Sequence, residues 1–496
     1  MKTKGKKLTA LLIAAAVFCP TLASCTSESD ILHIIPTDKP APDSVYGGIT
    51  TAADMPEPST ETASDEMVAE TTETTTTAPS VLRGNVYDCN KTLITRSIYD
   101  DVNGESRVYT DGYAIPFGNI VSRLSGGVDS YLDEALRIKN PVPVNADDNI
   151  GQSVQLTIDG DVQAALYDYM LRSGITGSIV VMRTDGSLLA ETSYPSYDPQ
   201  LFKQGANLSN NGNRAFQNAP PGSCFKIMSE VLADLNGIYS LYDEGTWEVD
   251  GATIVNWDHE TGYYPIYERS LYDAFVSSSN IFFAKSFELI GFDKVCQDLD
   301  GIFHFLSPIY CDFGPIENSL EVYSDDDLRR SAFGQAYVRT CPIYLAALGR
   351  EAVFGEMVKP FVVQTMVDTT DPSESVYPGS APYEWLGSIP DSCRQGILDG
   401  MMGVGSNLGV YVPEGYNFYA KTGTAETGGD DILYITGVLQ NYYQPEADYY
   451  VWSDYGGYYG SYIIVMQIQN PQNFGFNFAS ESGELYQGII NIVTGG

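Results

Sequence analysis

Val154, Leu156 and Ile158 alternate with polar neighbours, the two-residue period of a strand with one face turned to a core. Directly after them, Val162, Leu166 and Met170 recur every four residues, which predicts one face of a helix. Beyond Gly177 the stretch SIVVMRTDGSLLAETSYP sets two apolar runs on either side of Asp185-Gly186, a strong hairpin signal. Phe225, Met228, Val231, Leu232 and Leu235 then keep helical spacing, and predict a buried helix that Ser223 opens just past the Pro220-Pro221-Gly222 turn. Two further apolar stretches, Leu271 with Phe275 and Phe282 with Phe283 and Phe287, meet at Ser278-Ser279-Asn280. Helices dominate from Ser223 to about Gly355, and two strands, DILYITGVLQN and YIIVMQIQN, close the chain. Helices grouped between strands, without an internal repeat, predict the α+β class.

This pattern is absent from residues 26–80, where Ser, Thr, Glu, Asp and Pro dominate and the stretch ends in AETTETTTTAPS. Such a segment cannot bury enough surface to fold and predicts a disordered tether. Folded character begins at RGNVYDCNKTLI, and predicts a small N-terminal domain over 81–150 and a larger domain over 151–496. Residues 1–25 differ again. Lys2, Lys4, Lys6 and Lys7 precede an apolar run from Leu8 to Leu22, which is short for a membrane span. Leu22-Ala23-Ser24-Cys25 resembles a bacterial lipoprotein box, in which Cys25 is lipidated and becomes the mature N-terminus. A plain secretory signal cut nearby and an uncleaved anchor are the alternatives. The lipoprotein reading places the protein on the outer face of the bacterial cytoplasmic membrane.

Composition narrows the partners. With 64 acidic and 27 basic residues the net charge is −37, a surface that repels nucleic acid and anionic lipid headgroups and suits solubility outside the cell. Six cysteines lie beyond Cys25, scattered and without a C-x-x-C pair, which argues against a zinc site and a dense disulfide framework.

Candidate chemistry enters at three places. Lys226 follows Ser223 by three residues, about one helical turn. A helix-capping serine and a lysine that lifts its ammonium into water would explain that pair equally well. Ser278 and Asn280 sit between two apolar stretches, where caps are common. Lys421-Thr422-Gly423-Thr424 leads toward a predicted strand, and K-T-G is common by chance.

Together and in this order, S-x-x-K, S-x-N and K-T-G resemble the three active-site motifs of the penicillin-binding proteins and serine β-lactamases. The blocks LTIDGDVQAAL, VVMRTDGSLLAETSYPSYDP, NRAFQNAPPGSCFK, AFGQAYVRTCP and YAKTGTAE resemble a class B penicillin-binding protein, as does RGNVYD at its N-terminal Arg-Gly block. GYAIPFGNIVSRLSGGVDSYLDEAL is similar to the reduced pedestal of the smaller members. The likeness covers about residues 83–496. The chain departs from it at Cys89 and Lys91, at Cys224 where threonine is usual, and at Ala336 and Cys341 where glycine and threonine are usual. The resemblance implies the transpeptidase fold, an antiparallel sheet packed with helices, above a small pedestal. It implies a D,D-transpeptidase that cross-links peptidoglycan stem peptides through an acyl-enzyme on Ser223, with β-lactams as inhibitors and no metal or organic cofactor. Lys226 would be the base, Ser278 the proton relay and Asn280 the amide binder. Thr422, Gly423 and Thr424 would hold the terminal carboxylate beside the charge of Lys421, and the N–H groups of Ser223 and Thr424 would form the oxyanion hole. Relatives often work with a membrane glycosyltransferase through a transmembrane helix; a lipid anchor and tether lack that helix, which weighs against such a partner. A D,D-carboxypeptidase differs only in its acceptor. A β-lactamase of the glutamate-dependent class would need an E-x-x-x-N between Ser279 and Lys421, which is absent. A catalytically silent wall-binding or β-lactam-sensing protein is the non-enzymatic alternative. The tyrosine-rich NYYQPEADYYVWSDYGGYYGSY is read as a variable hairpin loop, with glycan stacking as the alternative.

Overall fold

The computed structural model describes residues 81–495 apart from 102–103, 123–126, 140–148, 200–211, 259–266, 368–383 and 443–459. Cys25, the expected signal segment, the tether and most of the tyrosine-rich stretch lie outside the described residues.

The first strands are β1 (Val86–Tyr87), β2 (Leu93–Asp100), β3 (Gly104–Tyr109) and β4 (Ser153–Leu156). They form one five-stranded sheet with β7 (Val363–Val367), in the order β7-β4-β1-β2-β3. The expected domain boundary near residue 150 therefore passes through a sheet, since β1 pairs with β4 in parallel and β4 with β7 antiparallel. Buried ion pairs hold this part: Arg83 to Glu105 at 2.8 Å and Arg107 to Asp129 at 2.6 Å.

Helix α1 (Gly160–Ser173) follows, capped by Asp159 and ended by Gly174 in the left-handed region. Then comes a second, wholly antiparallel sheet of β5 (Gly177–Arg183), β6 (Leu188–Tyr194), β8 (Tyr416–Ala425), β9 (Ile432–Asn441) and β10 (Tyr462–Ile468), in the order β8-β9-β10-β5-β6. The expected hairpin about Asp185-Gly186 is β5–β6. Strand alternation divides this sheet's two faces. Thr436, Val438 and Ile463 meet α5 (Pro342–Phe354) where Gly349 permits close approach, while Gly437 on the other face meets Tyr486 of α7 (Gly483–Thr494). Tyr486 also donates to Ile464 O at 2.9 Å.

Three expectations change. Ser223 does not open an α-helix: it sits in a 3₁₀ turn, Gly222–Phe225, and α2 (Lys226–Leu235) starts after it. Short strand pairs interleave the helices between Ser223 and Gly355, including Ser240–Asp243 with Tyr267–Ser270 and the hairpin Thr246–Val249 with Ala252–Val255. The chain closes on α7, not on a strand; Tyr486, Ile489, Ile490 and Val493 are its buried face, a helical spacing present in the sequence.

Candidate active site

The Ser223 turn is approached by backbone from two sides, and glycine makes this possible. A Cβ on Gly222, itself at φ +53°, would lie 2.3 Å from Thr424 O; one on Gly423 would lie 2.6 Å from Pro221 O; one on Gly334 would lie 2.1 Å from Gly222 O. Only residues without a side chain let β8 and the Gly334 loop close onto the serine. The 3₁₀ turn runs directly into Lys226, the residue that caps its end, and in such geometry side chains three apart eclipse. Lys226 Nζ is accordingly 3.0 Å from Ser223 Oγ. Capping does not explain the serine, because no side chain caps this turn.

Helices α3 (Leu271–Val276) and α4 (Asn280–Ile290) flank the second motif. The helix cap there is Ser279, whose Oγ accepts from Phe282 N at 3.0 Å, and not Ser278 or Asn280. Ser278 instead adopts φ +60°, the left-handed region that a residue with a Cβ occupies only under constraint. This points its hydroxyl between two amines, 3.2 Å from Lys226 Nζ and 3.0 Å from Lys421 Nζ.

Lys226 is fully buried. Besides the two hydroxyls, its amine donates to Ser278 O and to Asn280 Oδ1, each at 2.7 Å. Those two oxygens are carbonyl acceptors, which have no proton to give. A neutral amine therefore spends both hydrogens on them and turns its lone pair to the hydroxyls. Burial, and then the charge of Lys421, drive Lys226 well below the usual lysine range. The rings of Phe283 and Phe333, 6.0 and 5.8 Å away, supply apolar cover. Lys421 on β8 is also buried, and burial pushes it down to about 8. Its Nζ donates to Thr422 O at 3.0 Å and lies 5.6 Å from the Phe275 ring.

Ser223, Ser278, Asn280, Thr422 and Thr424 thus share one cleft of about 900 Å³. Gly423 acts beneath it, through close approach. Thr424 Oγ1 accepts from Ala479 N at 3.3 Å. Trp257 and Phe478, an edge-to-face pair with ring centroids 5.0 Å apart, line the same cleft. Sequence reasoning did not single out these two or Phe333, and it marked Phe275 and Phe283 only as parts of apolar stretches, not as cover for the amines. Cys224, next to the serine, is buried with its thiol pushed up to about 11 by burial, so it stays protonated. Among the described residues the six cysteines form no disulfide, and no group of His, Cys, Asp and Glu could hold a metal.

The family described as penicillin binding protein transpeptidase domain matches residues 177–440, more than half of the 496-residue chain. The chain belongs to this family. Over 164 residues it is 30% identical to the peptidoglycan D,D-transpeptidase MrdA of Haemophilus influenzae, a match covering 29% of this chain and 24% of that protein. The match thus spans about a quarter of the curated relative. Among solved structures, the imipenem acyl-enzyme of penicillin-binding protein A from M. tuberculosis is similar at TM-score 0.67 and 19% identity, over 83% of this chain and 99% of that one. The D,D-transpeptidase domain of a peptidoglycan glycosyltransferase from Eggerthella lenta is similar at 0.65 and 19%, over 84% and 98%. Pseudomonas aeruginosa PBP2 is similar at 0.63 and 18%, over 84% and 95%. The fold expected from the sequence, an α+β transpeptidase domain, is the one these structures share.

Proposed function

We propose that this protein is a penicillin-binding D,D-transpeptidase that cross-links peptidoglycan stem peptides ending in D-Ala-D-Ala. The observation that carries the proposal is the 3.0 Å contact between Lys226 Nζ and Ser223 Oγ, made by an amine that burial and Lys421 drive well below the usual lysine range. A serine hydroxyl is a weak nucleophile until a base takes its proton. Lys226 takes it as Ser223 Oγ attacks the penultimate carbonyl. Backbone N–H groups of Ser223 and Thr424 hold the oxyanion; β8 is an edge strand, so alternate N–H groups along it face away from β9. One such donor is worth about 2.7–4 kcal/mol of barrier. Ser278 passes the proton to the leaving nitrogen, the C–N bond breaks, and D-Ala departs. An amine of a neighbouring stem then attacks the ester and frees Ser223. Asn280 orients the substrate amide, while Thr422 and Thr424 hold the terminal carboxylate beside Lys421.

A β-lactam acylates the same oxygen. Labelling by fluorescent penicillin is expected, and its loss in Ser223→Ala. The labelling rate rises with pH as Lys226 loses its proton and falls above about pH 8 as Lys421 loses its own. An intact protein that takes no label is the silent wall-binding or sensing alternative. Product analysis with a D-Ala-D-Ala donor, with and without an amine acceptor, separates cross-linking from carboxypeptidase hydrolysis, and rapid penicillin turnover would mark a β-lactamase. The membrane address extends the proposal: Leu22-Ala23-Ser24-Cys25 after an apolar run supports a lipid anchor at Cys25 on the outer face of the cytoplasmic membrane, with residues 26–80 as tether. No helix among the described residues is long and apolar enough to cross a membrane. A mature N-terminus other than Cys25, by mass spectrometry, would remove the anchor from this account.

A further inference from the structure

Ser278 has its hydroxyl between two amines only because its backbone is held at φ +60°. A non-glycine residue there costs on the order of 1–3 kcal/mol and persists when its surroundings over-determine it. The surroundings that do so lie behind the cleft. Asp243, fully buried at the end of the strand Ser240–Asp243, forms an ion pair with Arg269 at 3.0 Å. It also accepts from Ser279 Oγ at 2.6 Å, from Gly245 N at 2.9 Å and from Asn256 Nδ2 at 3.0 and 3.1 Å. Asn256 Oδ1 in turn accepts from Asn280 N at 2.7 Å and Ile281 N at 3.2 Å. On the other side of Ser278, Arg269 donates to Ser277 Oγ. The buried group therefore grips the residues just before and just after Ser278.

We propose that Asp243 and Arg269, with Asn256, are positioning residues that hold the strained Ser278 between the two amines, acting through Ser277, Ser279 and Asn280. This rests on the acyl-serine reading above. A second consequence separates it from mere support of the fold. Lys226 is faced by Lys421 from β8, by Asp243 with Arg269 behind it, and by Cys224 from its own turn. Burial and Lys421 lower its pKa; Asp243 and Cys224 oppose them. The charge of Asp243 thus reaches the base as well as the loop.

The test is the rate of labelling by fluorescent penicillin from pH 5 to 9 in the full chain, for the intact protein, Asp243→Asn and Arg269→Gln. Both variants are expected to label at least about tenfold more slowly, since misplacement of about 1 Å can cost a hundredfold. Their acid limbs should move in opposite directions, by roughly half a pH unit or more. Asp243→Asn removes a negative charge that favours the protonated amine, so its limb moves to lower pH. Arg269→Gln leaves that charge uncompensated, so its limb moves to higher pH. Unchanged rates, or slowing with unshifted limbs, overturn the proposal. Should these variants fail to fold, Ser279→Ala and Ser279→Thr serve instead: slowing in the first and recovery in the second supports it, and equal rates overturn it. An intact protein without label overturns the acyl-serine reading and this inference with it, whereas label lost in Ser223→Ala but unaffected in the other variants overturns the inference alone.

Discussion

Lys226 and Lys421 behind the cleft lining, and Glu191, Glu230 and Glu351 in the body of the protein, are all cut off from water, and burial drives each of them toward its neutral form. Their surroundings differ. The two amines have named partners for their hydrogens, on Ser278, Asn280 and Thr422. Among the described residues, Oε1 of Glu191, Oε2 of Glu230 and both carboxyl oxygens of Glu351 have no hydrogen-bond partner. Desolvation at the cleft is thus coupled to geometry and aims an amine of lowered pKa at a hydroxyl. Desolvation in the core yields neutral acids whose main effect is on stability. The two sets also answer pH with opposite results. Raising the pH frees the Lys226 lone pair, while it forces the core carboxyls toward a charged form that the interior does not solvate.

The contrast breaks most visibly at Lys226. Lys226→Met keeps the volume apolar and removes the base, and penicillin labelling should fall by about a thousandfold, within the range of general-base effects. Labelling within tenfold of the intact rate would mean that the cleft amine is no more active chemically than the core carboxyls. Next in size is Gly423→Ala, whose Cβ would lie 2.6 Å from Pro221 O and 2.9 Å from Cys224 N. Strand β8 must retreat from the serine, and labelling should drop by about a hundredfold with the melting temperature nearly kept. A large loss of melting temperature would instead show Gly423 supporting the fold.

Glu191→Gln sharpens the other side. The Glu191 carboxyl is pushed up to about 8 by burial, whereas the unfolded chain releases that proton near about 4.3. The folded state then binds more protons than the unfolded one across this window, so stability falls as pH rises from about 4.5 to 8. Glutamine has no proton to lose. The variant should gain on the intact protein by about 4–5 kcal/mol at pH 8, and by only about 1 kcal/mol at pH 5. Thermal melting at the two pH values checks this, and an equal shift at both would mean packing, not ionisation, was changed. The smallest effect lies outside both sets. Ala336 holds φ +55° on the cleft wall. Ala336→Gly should stabilise by at most about 1 kcal/mol, the left-handed strain less the greater freedom of unfolded glycine. A measured loss would show that the methyl group packs usefully.

The parts legible along the chain were those with a short period or a short motif. The β5–β6 hairpin, α1, the helix after Ser223 and strands β9 and β10 follow from apolar spacing and turn residues within a dozen positions. The three motifs named every polar group in the cleft that touches Ser223 or either amine, apart from backbone. The closing helix α7 carries a readable period as well, in Tyr486, Ile489, Ile490 and Val493, but it follows two stronger strand signals.

Residue type and spacing became informative through the resemblance of three short motifs to a known family, which marked the side chains that the proposed chemistry uses. They were silent on the electrostatic state of those side chains. Lys421 and Ser278 stand 143 positions apart and Lys226 and Ser278 stand 52, so the field and the dryness around each amine are sums over neighbours drawn from the whole fold. The left-handed Ser278, the grip of Asp243 and Arg269 behind it, and the aromatic walls arise only when those distant segments pack together.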